Sequence, residues 1–477
     1  MFAHPWKLNL KSLFMLAVLL VVQTSTAIPA GAKSPDEINY PLNGLAENEF
    51  MQIRALLSAD APNSEQAYLE ASNKEPEDFF GAAVAVSGDT LVVGAPYEDS
   101  GAKGINGNQN SNTLEDSGAA YVFVRSGGVW SQQAYLKASN TGAGDNFGSS
   151  VAIYGDTIVV GAPHEASNAQ GINGNQTNNL APDSGAVYVF VRSGTIWSQQ
   201  AYIKASNTEP NDSSSHSRDY FGDSVAIAEN TIAVGAYGEW SNATGINGDE
   251  TNNSTPEAGA VYVFTRSITI WSQQAYIKAS NTGRDDNFGY AVSISGETLA
   301  VGAREERSNA TGVNGSQTDN SAFASGAVYV FTRSGTTWNQ QAYVKASNTN
   351  AYDYFGGSVS ISGDTLVVGA HGEDSNASGV NGNQADNSAT LAGAAYVFFR
   401  DGSTWSQQAY LKASNTYAGD HFGWSVTISG NTIIMGAYQE SSSSTTINGS
   451  QEDTTGVLYS GAAYLFTRSG TNWRQQS

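Results

Sequence analysis

The sequence contains no cysteine, and it has 22 lysine and arginine residues against 44 aspartate and glutamate residues. Without cysteine the chain forms no disulfide bond, no thiolate metal site and no lipid-modified cysteine. The net charge of -22 argues against nucleic acid or anionic lipid as a partner, because both require basic patches. After the first 27 residues no stretch is long and apolar enough to span a bilayer, so we expect no transmembrane segment in the mature chain.

The amino-terminal 63 residues differ from the rest of the chain. Residues 1–27 place two lysines before the apolar run 13–22 and end in small residues, which predicts a secretory signal peptide. The alternative is an uncleaved membrane anchor. Residues 28–63 are a linker or contain a short helix, because apolar residues recur at helical spacing between positions 46 and 57. We therefore expect the mature protein to be secreted, either extracellular or on the cell surface.

The rest of the chain, residues 64–477, repeats one pattern six times. A Phe-Gly pair begins each copy, and successive pairs are 67, 74, 67, 67 and 67 residues apart. Within the second copy, apolar runs at 150–153, 157–162, 186–191 and 197–205 indicate four strands, with a Gly-Asp turn joining the first two. Four antiparallel strands repeated radially predict an all-β fold, a β-propeller of four-stranded blades.

The two ends of the repeat region each carry part of the same fourth-strand pattern. Residues 64–73 carry the fourth-strand pattern without a blade of their own, whereas the chain stops at Ser477 within the same pattern. This match predicts six blades closed by the amino-terminal strand, which would remove exposed sheet edges. The alternative is an incomplete seven-bladed propeller.

The Phe-Gly pair and the Gly-Ala-Pro that follows, as at Phe80-Gly81 and Gly94-Ala95-Pro96, resemble the FG-GAP repeat of integrin α-subunit propellers and related secreted bacterial proteins. The resemblance covers residues 64–477. In four copies the proline is replaced, by Tyr237, Arg304, His371 and Tyr438. The resemblance implies a propeller of about seven blades that binds proteins or carbohydrate outside the cell, often with calcium in some blades.

Two carboxylates recur in every copy. The first precedes the Phe-Gly pair by two residues: Asp78, Asp145, Asp219, Asp286, Asp353 and Asp420. The second follows the buried second strand: Glu98, Glu165, Glu239, Glu306, Glu373 and Glu440. The first hairpin lacks the repeated aspartates of a calcium loop, so these twelve positions are the candidate metal ligands. The alternative, which we favour, is that they accept hydrogen bonds from loop backbone N–H groups.

A loop of roughly 20 residues separates the second and third strands of each blade, a length that is usually functional or mobile. In every copy the loop contains Ile or Val followed by Asn-Gly, as at Ile105-Asn106-Gly107. Asn-Gly is a tight-turn signal. The apolar residue is expected to hold the loop against the blade. All six loops should emerge on one face and form a polar surface for a partner.

The remaining side chains give no catalytic pattern. One tryptophan per copy, such as Trp197, begins the fourth strand and is expected to pack blade against blade. The histidines occupy unequal loop positions, and a seven-residue insertion around 211–216 looks like an enlarged loop. We therefore expect a monomeric, non-enzymatic binding or adhesion module for an extracellular protein or glycan, with no certain cofactor and calcium as the candidate. The alternatives are an extracellular hydrolase or lyase and a structural module of the cell envelope.

Overall fold

The computed structural model describes residues 67–208, 218–452 and 458–476. The predicted signal peptide, the 28–63 segment and the insertion around 211–216 lie outside these residues. The described part of the chain consists of strands and loops and contains no helix. Consequently, it has no helix long and apolar enough to cross a membrane.

Twenty-four strands form six sheets of four antiparallel strands, and each sheet uses four strands that are consecutive in the chain. The first strands are β1 (Ala83–Ser87), β5 (Ser150–Tyr154), β9 (Ser224–Ala228), β13 (Phe288–Ser295), β17 (Ser358–Ser362) and β21 (Phe422–Ser429). The second strands are β2 (Thr90–Ala95), β6 (Thr157–Ala162), β10 (Thr231–Ala236), β14 (Thr298–Ala303), β18 (Thr365–Ala370) and β22 (Thr432–Ala437).

The outer half of each blade is a second hairpin. The third strands are β3 (Ala119–Ser126), β7 (Ala186–Ser193), β11 (Ala260–Ser267), β15 (Ala327–Ser334), β19 (Ala394–Asp401) and β23 (Ala462–Ser469). The fourth strands are β4 (Val129–Leu136), β8 (Ile196–Ile203), β12 (Ile270–Ile277), β16 (Thr337–Val344), β20 (Thr404–Leu411) and β24 (Asn472–Gln475). The strand assignment from the sequence is therefore confirmed.

The six blades follow one another in a ring, which confirms the predicted β-propeller. The first strands of neighbouring blades pack against each other from β1 to β21, so they lie nearest the axis. Within each blade the chain runs outward from the first strand to the fourth, and it then returns toward the axis to begin the next blade. As a result, the loops after the second strands and the returns between blades share one end of the ring, the loop end, and the short hairpins share the other.

The Phe-Gly and Gly-Ala motifs are explained by the contact between blades. A Cβ atom on Gly302, within the buried strand β14, would lie 2.0 Å from the carbonyl oxygen of Gly356 in the next blade. Gly356 itself has a φ of +89°. Phe355 beside it is fully buried and meets the edge of Tyr396 at 5.4 Å between ring centroids. Each motif therefore allows close backbone approach on one side and fills the inter-blade core on the other.

The tryptophans pack between blades, as expected. Trp338 is buried with side chains of the preceding blade, including Val263 and Ile277. Its indole Nε1 donates to Gln274 Oε1 of that blade at 2.9 Å. The Arg333 guanidinium stacks on the same ring, 5.2 Å from its centroid. Each interface thus combines apolar burial with one buried indole hydrogen bond.

The predicted closure by an amino-terminal strand is wrong. The described residues 67–82 contain no strand, and β23 pairs with β22 and β24 alone. Tyr68 is 66% exposed instead of occupying the buried position of Tyr135. The sequence supplies a reason: at the position of Lys137 this copy has Glu70, which would face the buried Glu440 in the last blade. Two buried carboxylates at that spacing repel each other, so the strand does not add to the last blade.

The ring has a seam between its last and first blades. β21 and β1 do not pack against each other as the other neighbouring first strands do. We call the side of a blade that faces the next blade its trailing face and the opposite side its leading face. On the trailing face of the last blade, Ile434 and Leu465 are only half-buried, whereas Val397 at the position of Leu465 is fully buried.

Candidate functional site

The recurring glutamate forms the centre of a buried polar network in each blade. In the fourth blade, Glu306 accepts hydrogen bonds from Lys345 Nζ at 2.9 Å and from the Tyr343 hydroxyl at 3.0 Å. Asn281, on the return from the preceding blade, donates its Nδ2 to the same carboxylate at 2.9 Å. Lys345 is 0% exposed and Glu306 is 1% exposed. The carboxylate therefore joins two blades through a fully desolvated ion pair.

The same ion pair recurs in the first five blades. The pairs are Lys137 with Glu98, Lys204 with Glu165, Lys278 with Glu239, Lys345 with Glu306 and Lys412 with Glu373, with Nζ to Oε2 distances between 2.7 and 2.9 Å. Burial lowers the pKa of each lysine, while its glutamate opposes that shift. Glu440 in the last blade is equally buried but forms no ion pair with any described residue; Asn415 and Ser442 donate to it.

The lysines of this network escaped the sequence reasoning. The signal was present, because five of the 22 basic residues stand in the same Lys-Ala-Ser-Asn sequence at the end of the fourth strand. A lysine and a glutamate that recur together from repeat to repeat, each just after a buried strand, predict a buried ion pair. The sequence-based expectation named the glutamates but not the lysines that form ion pairs with them.

The recurring aspartate accepts a backbone hydrogen bond at the turn before the Phe-Gly pair. In five copies the donor is the N–H group three residues earlier, at 2.7 to 3.0 Å, and the acceptors are Asp78, Asp145, Asp286, Asp353 and Asp420. Burial raises the pKa of Asp145 and of Asp286 to about 7, and that of Asp353 to about 8. Asp219, in the copy with the insertion, is buried as well.

The twelve candidate metal ligands lie in two different settings. The glutamates of five blades hold a lysine ammonium, and five aspartates hold a backbone N–H. Within the described residues, no group of three or more carboxylate or histidine side chains could hold a metal ion. Calcium requires six to eight converging oxygen ligands, and the donor sets just described do not fit that requirement.

The long loops are anchored at their bases. Ile105 pairs as an isolated β-bridge with Leu136 of β4. Asn106 next to it has a φ of +54°, donates its N–H to the Tyr135 carbonyl at 2.8 Å and accepts from the Tyr135 N–H through Oδ1 at 3.0 Å. Equivalent bridges occur in blades two to five. The Ile or Val therefore holds the loop on its own blade, and asparagine is suited to the left-handed conformation beside it.

Each loop also contacts the return from the preceding blade. The Ser139 hydroxyl donates to Gln176 Oε1 at 2.6 Å, and the contact recurs between Ser280 and Gln317 at 2.8 Å. The bases of the loops are thus linked blade to blade, while the loop tips contain exposed polar residues such as Asn175 and Thr177. This arrangement presents polar side chains from a rigid base at the loop end of the ring.

Several histidines that showed no pattern in the sequence are paired in space. His164 Nδ1 lies 2.7 Å from Asp183 Oδ1, and this contact lowers the pKa of Asp183. His371 and His421 lie with ring centroids 5.9 Å apart. These side chains are at the loop end, close to the positions where proline is replaced. The replacement of proline in four copies was the signal in the sequence, and its significance was missed.

A ring of four-stranded blades with one long loop per blade defines a repeat β-propeller. A family model described as FG-GAP repeat matches residues 63–123, 130–190, 197–264, 271–331, 338–398 and 405–466. The chain therefore belongs to the FG-GAP repeat family, as its resemblance to integrin α-subunit propellers implied. No curated protein matches the chain.

Proposed function

We propose that this protein is a secreted, non-catalytic binding module that attaches to an extracellular protein or glycan through the loop end of its ring. The observation that supports this role is the repeated loop, which is anchored by an isolated β-bridge in each of the first five blades and carries exposed polar residues at its tip. Binding sites are commonly built on loops that a rigid scaffold positions. In this proposal the glutamates join neighbouring blades and the aspartates hold the turn before each Phe-Gly pair, and neither role requires calcium.

The test uses the chain without residues 1–27, labelled with a fluorophore, against cell surfaces, immobilised glycans and extracellular proteins. In one variant, the loop tips of blades two to five are replaced by Gly-Ser linkers that leave Asn173 and its equivalents intact. The matched control replaces Glu229 and Asn230, in a hairpin at the opposite end of the ring. We expect the loop variant to lose binding and the control to retain it.

Four results would contradict parts of this proposal. Retention of binding by the loop variant would place the contact elsewhere, and absence of any partner would leave a structural role in the cell envelope as the better account. Turnover of a polysaccharide, ester or lipid substrate by the chain would show an enzyme. A thermal midpoint that rises with calcium and falls with EDTA would overturn the assignment of the acidic residues to ion pairs and hydrogen bonds within the protein.

A further inference from the structure

Six side chains at the loop end of the axis form two contacting sets, one in blades three and four and one in blades five and six, that the repeat pattern does not require. Four of them replace the proline after Gly-Ala in blades three to six, and two follow the Phe-Gly pairs of blades four and six. We call this group the axial arc: Tyr237, Tyr290, Arg304, His371, Trp424 and Tyr438. The first two blades have Pro96 and Pro163 instead. The arc is therefore a place where the six copies of the repeat differ.

In blades three and four, the arc consists of tyrosines and one guanidinium. Tyr237 stacks on Tyr220, with ring centroids 5.0 Å apart, and meets Tyr290 of the next blade at 5.6 Å. The Arg304 guanidinium lies 3.9 Å from the Tyr290 centroid. Its Nε is buried and has no hydrogen-bond partner among the described residues. A buried donor without an acceptor is costly. The Arg304 side chain is 26% exposed, so another part of it is open to a ligand oxygen.

In blades five and six, the arc contains an exposed indole held by rings. Trp424 is 38% exposed, although it contacts His371 at 4.7 Å and Tyr438 at 4.5 Å between centroids. Burial lowers the pKa of His371 to about 3, with smaller contributions from His421 and Arg304, so this imidazole is neutral at physiological pH. A neutral imidazole offers one donor and one acceptor.

The charges of the arc favour an uncharged ligand. Arg304 already places a positive charge over a ring face, which disfavours a cation. An anion is disfavoured because Glu305 lies 3.4 Å from the Arg304 guanidinium and Asp223 is close enough for its pKa to respond to Arg304. Aromatic faces combined with a few donors and acceptors suit a ligand that has both apolar C–H faces and hydroxyl groups.

We propose that the axial arc is a binding site for an oligosaccharide, in which Trp424 stacks on one sugar ring and Arg304 and His371 hydrogen-bond to hydroxyls along the ligand. This inference deepens the proposed binding role and rests on it. It assigns the ligand to the centre of the loop end, whereas the loops surround that centre.

The experiment measures binding of the chain without residues 1–27 to soluble gluco-, galacto-, manno- and N-acetylglucosamine-configured oligosaccharides by calorimetry. We expect at least one of them to bind, and Trp424→Ala and Arg304→Ala each to weaken that binding about tenfold, near the upper end of one aromatic or cation contact. Trp424→Phe keeps a ring at that position and should retain most of the affinity. The matched control is Tyr154→Ala, because Tyr154 is 47% exposed at the opposite end of the ring.

The outcomes separate this inference from the broader role. Thermal midpoints of all variants establish folding, and Arg304→Ala tests the site even if Trp424→Ala does not fold. If oligosaccharides bind and only the loop variant shows weaker binding, the arc inference fails and the binding role stands. The same holds if the chain binds protein partners but no oligosaccharide. If neither sugars nor proteins bind, both fail.

Discussion

The blade interfaces inside the ring and the seam carry the same sequence pattern but have different surroundings. Between blades five and six, Ser358 Oγ donates to the Gly423 carbonyl at 2.8 Å, and Ser360 and Ser362 accept from backbone N–H groups at 3.1 Å each. On the trailing face of blade six, Ser425, Thr427 and Ser429 occupy the same positions and are exposed, and their side chains form no hydrogen bond with a described residue.

The first blade shows the complementary difference. Phe80 and Trp130 on its leading face are half-buried, whereas Phe355 and Trp405 are buried in the fifth blade. Leu91 and Val93 of the first blade pack with Leu69 and Ala71, which lie in the segment before that blade. This segment forms no strand. The comparison shows that the repeat sequence specifies each blade, whereas burial of a blade depends on the neighbour it meets.

The largest expected difference between ring and seam concerns the pH dependence of stability. Burial raises the pKa of Asp353 to about 8 but that of Asp78, at the seam, only to about 6. A carboxyl group with a raised pKa binds its proton more tightly in the folded state. Its contribution is therefore fully favourable below the unfolded pKa of about 4 and is lost as the pH rises through the folded pKa.

We expect Asp353→Asn to stabilise the protein relative to wild type at pH 8.5, by on the order of 5 kcal/mol as an upper bound, and to change little at pH 4. Asp78→Asn should show a smaller gain that is complete by about pH 6.5, because its folded pKa is lower. Denaturant unfolding of the variants and wild type across this range measures both. Identical pH profiles for the two variants would contradict a difference in burial.

The next largest effect is the loss of a buried lysine. Lys345→Met leaves Glu306 desolvated without a counter-charge and should cost about 3–5 kcal/mol of unfolding free energy. The double variant Lys345→Met with Glu306→Gln removes both charges and should recover much of that loss. Glu440→Gln is the seam control, because Glu440 has no ion pair among the described residues. A loss at Glu440 as large as at Lys345 would show that the ion pair contributes little.

Core truncations at matched positions come third. Val397→Ala removes two buried carbons on the trailing face of blade five and should cost about 2 kcal/mol. Leu465→Ala deletes more atoms at the same position of blade six but should cost below about 1 kcal/mol, since that side chain is half-buried. Equal losses would mean that something outside the described residues covers the seam.

Strands, blade count and the apolar anchor of the first five loops were predictable because they depend on local pattern, whereas Ile447 of the sixth loop is 44% exposed and forms no such bridge to a described residue. The alternation at 150–153 and the Gly-Asp turn identify a hairpin without knowledge of any neighbour. Closure was not predictable in this way: residues 64–73 match a fourth strand at eight of ten positions. Of the two changes, Glu65 and Glu70, the effect of Glu70 depends on the carboxylate that it would meet in the last blade. The axial arc is similar, because Tyr237 and Tyr290 are 53 positions apart and their contact requires two blades to be placed.

The smallest expected effect distinguishes loops with and without a fourth-strand anchor. Asn381 and Asn448 both have a left-handed backbone, with φ of +56° and +55°. Asn381 Oδ1 also accepts from the Tyr410 N–H at 2.9 Å, whereas Asn448 forms no such bond to a described residue. Substitution by alanine imposes the same left-handed cost of about 1 kcal/mol at both sites. Asn381→Ala should cost about a further 1 kcal/mol, because it leaves the buried Tyr410 N–H without its acceptor. Hydrogen exchange of the Tyr410 amide should therefore accelerate in Asn381→Ala and stay unchanged in Asn448→Ala. Slow exchange in both variants would mean that the bridge from Val380 to Leu411 anchors the loop by itself.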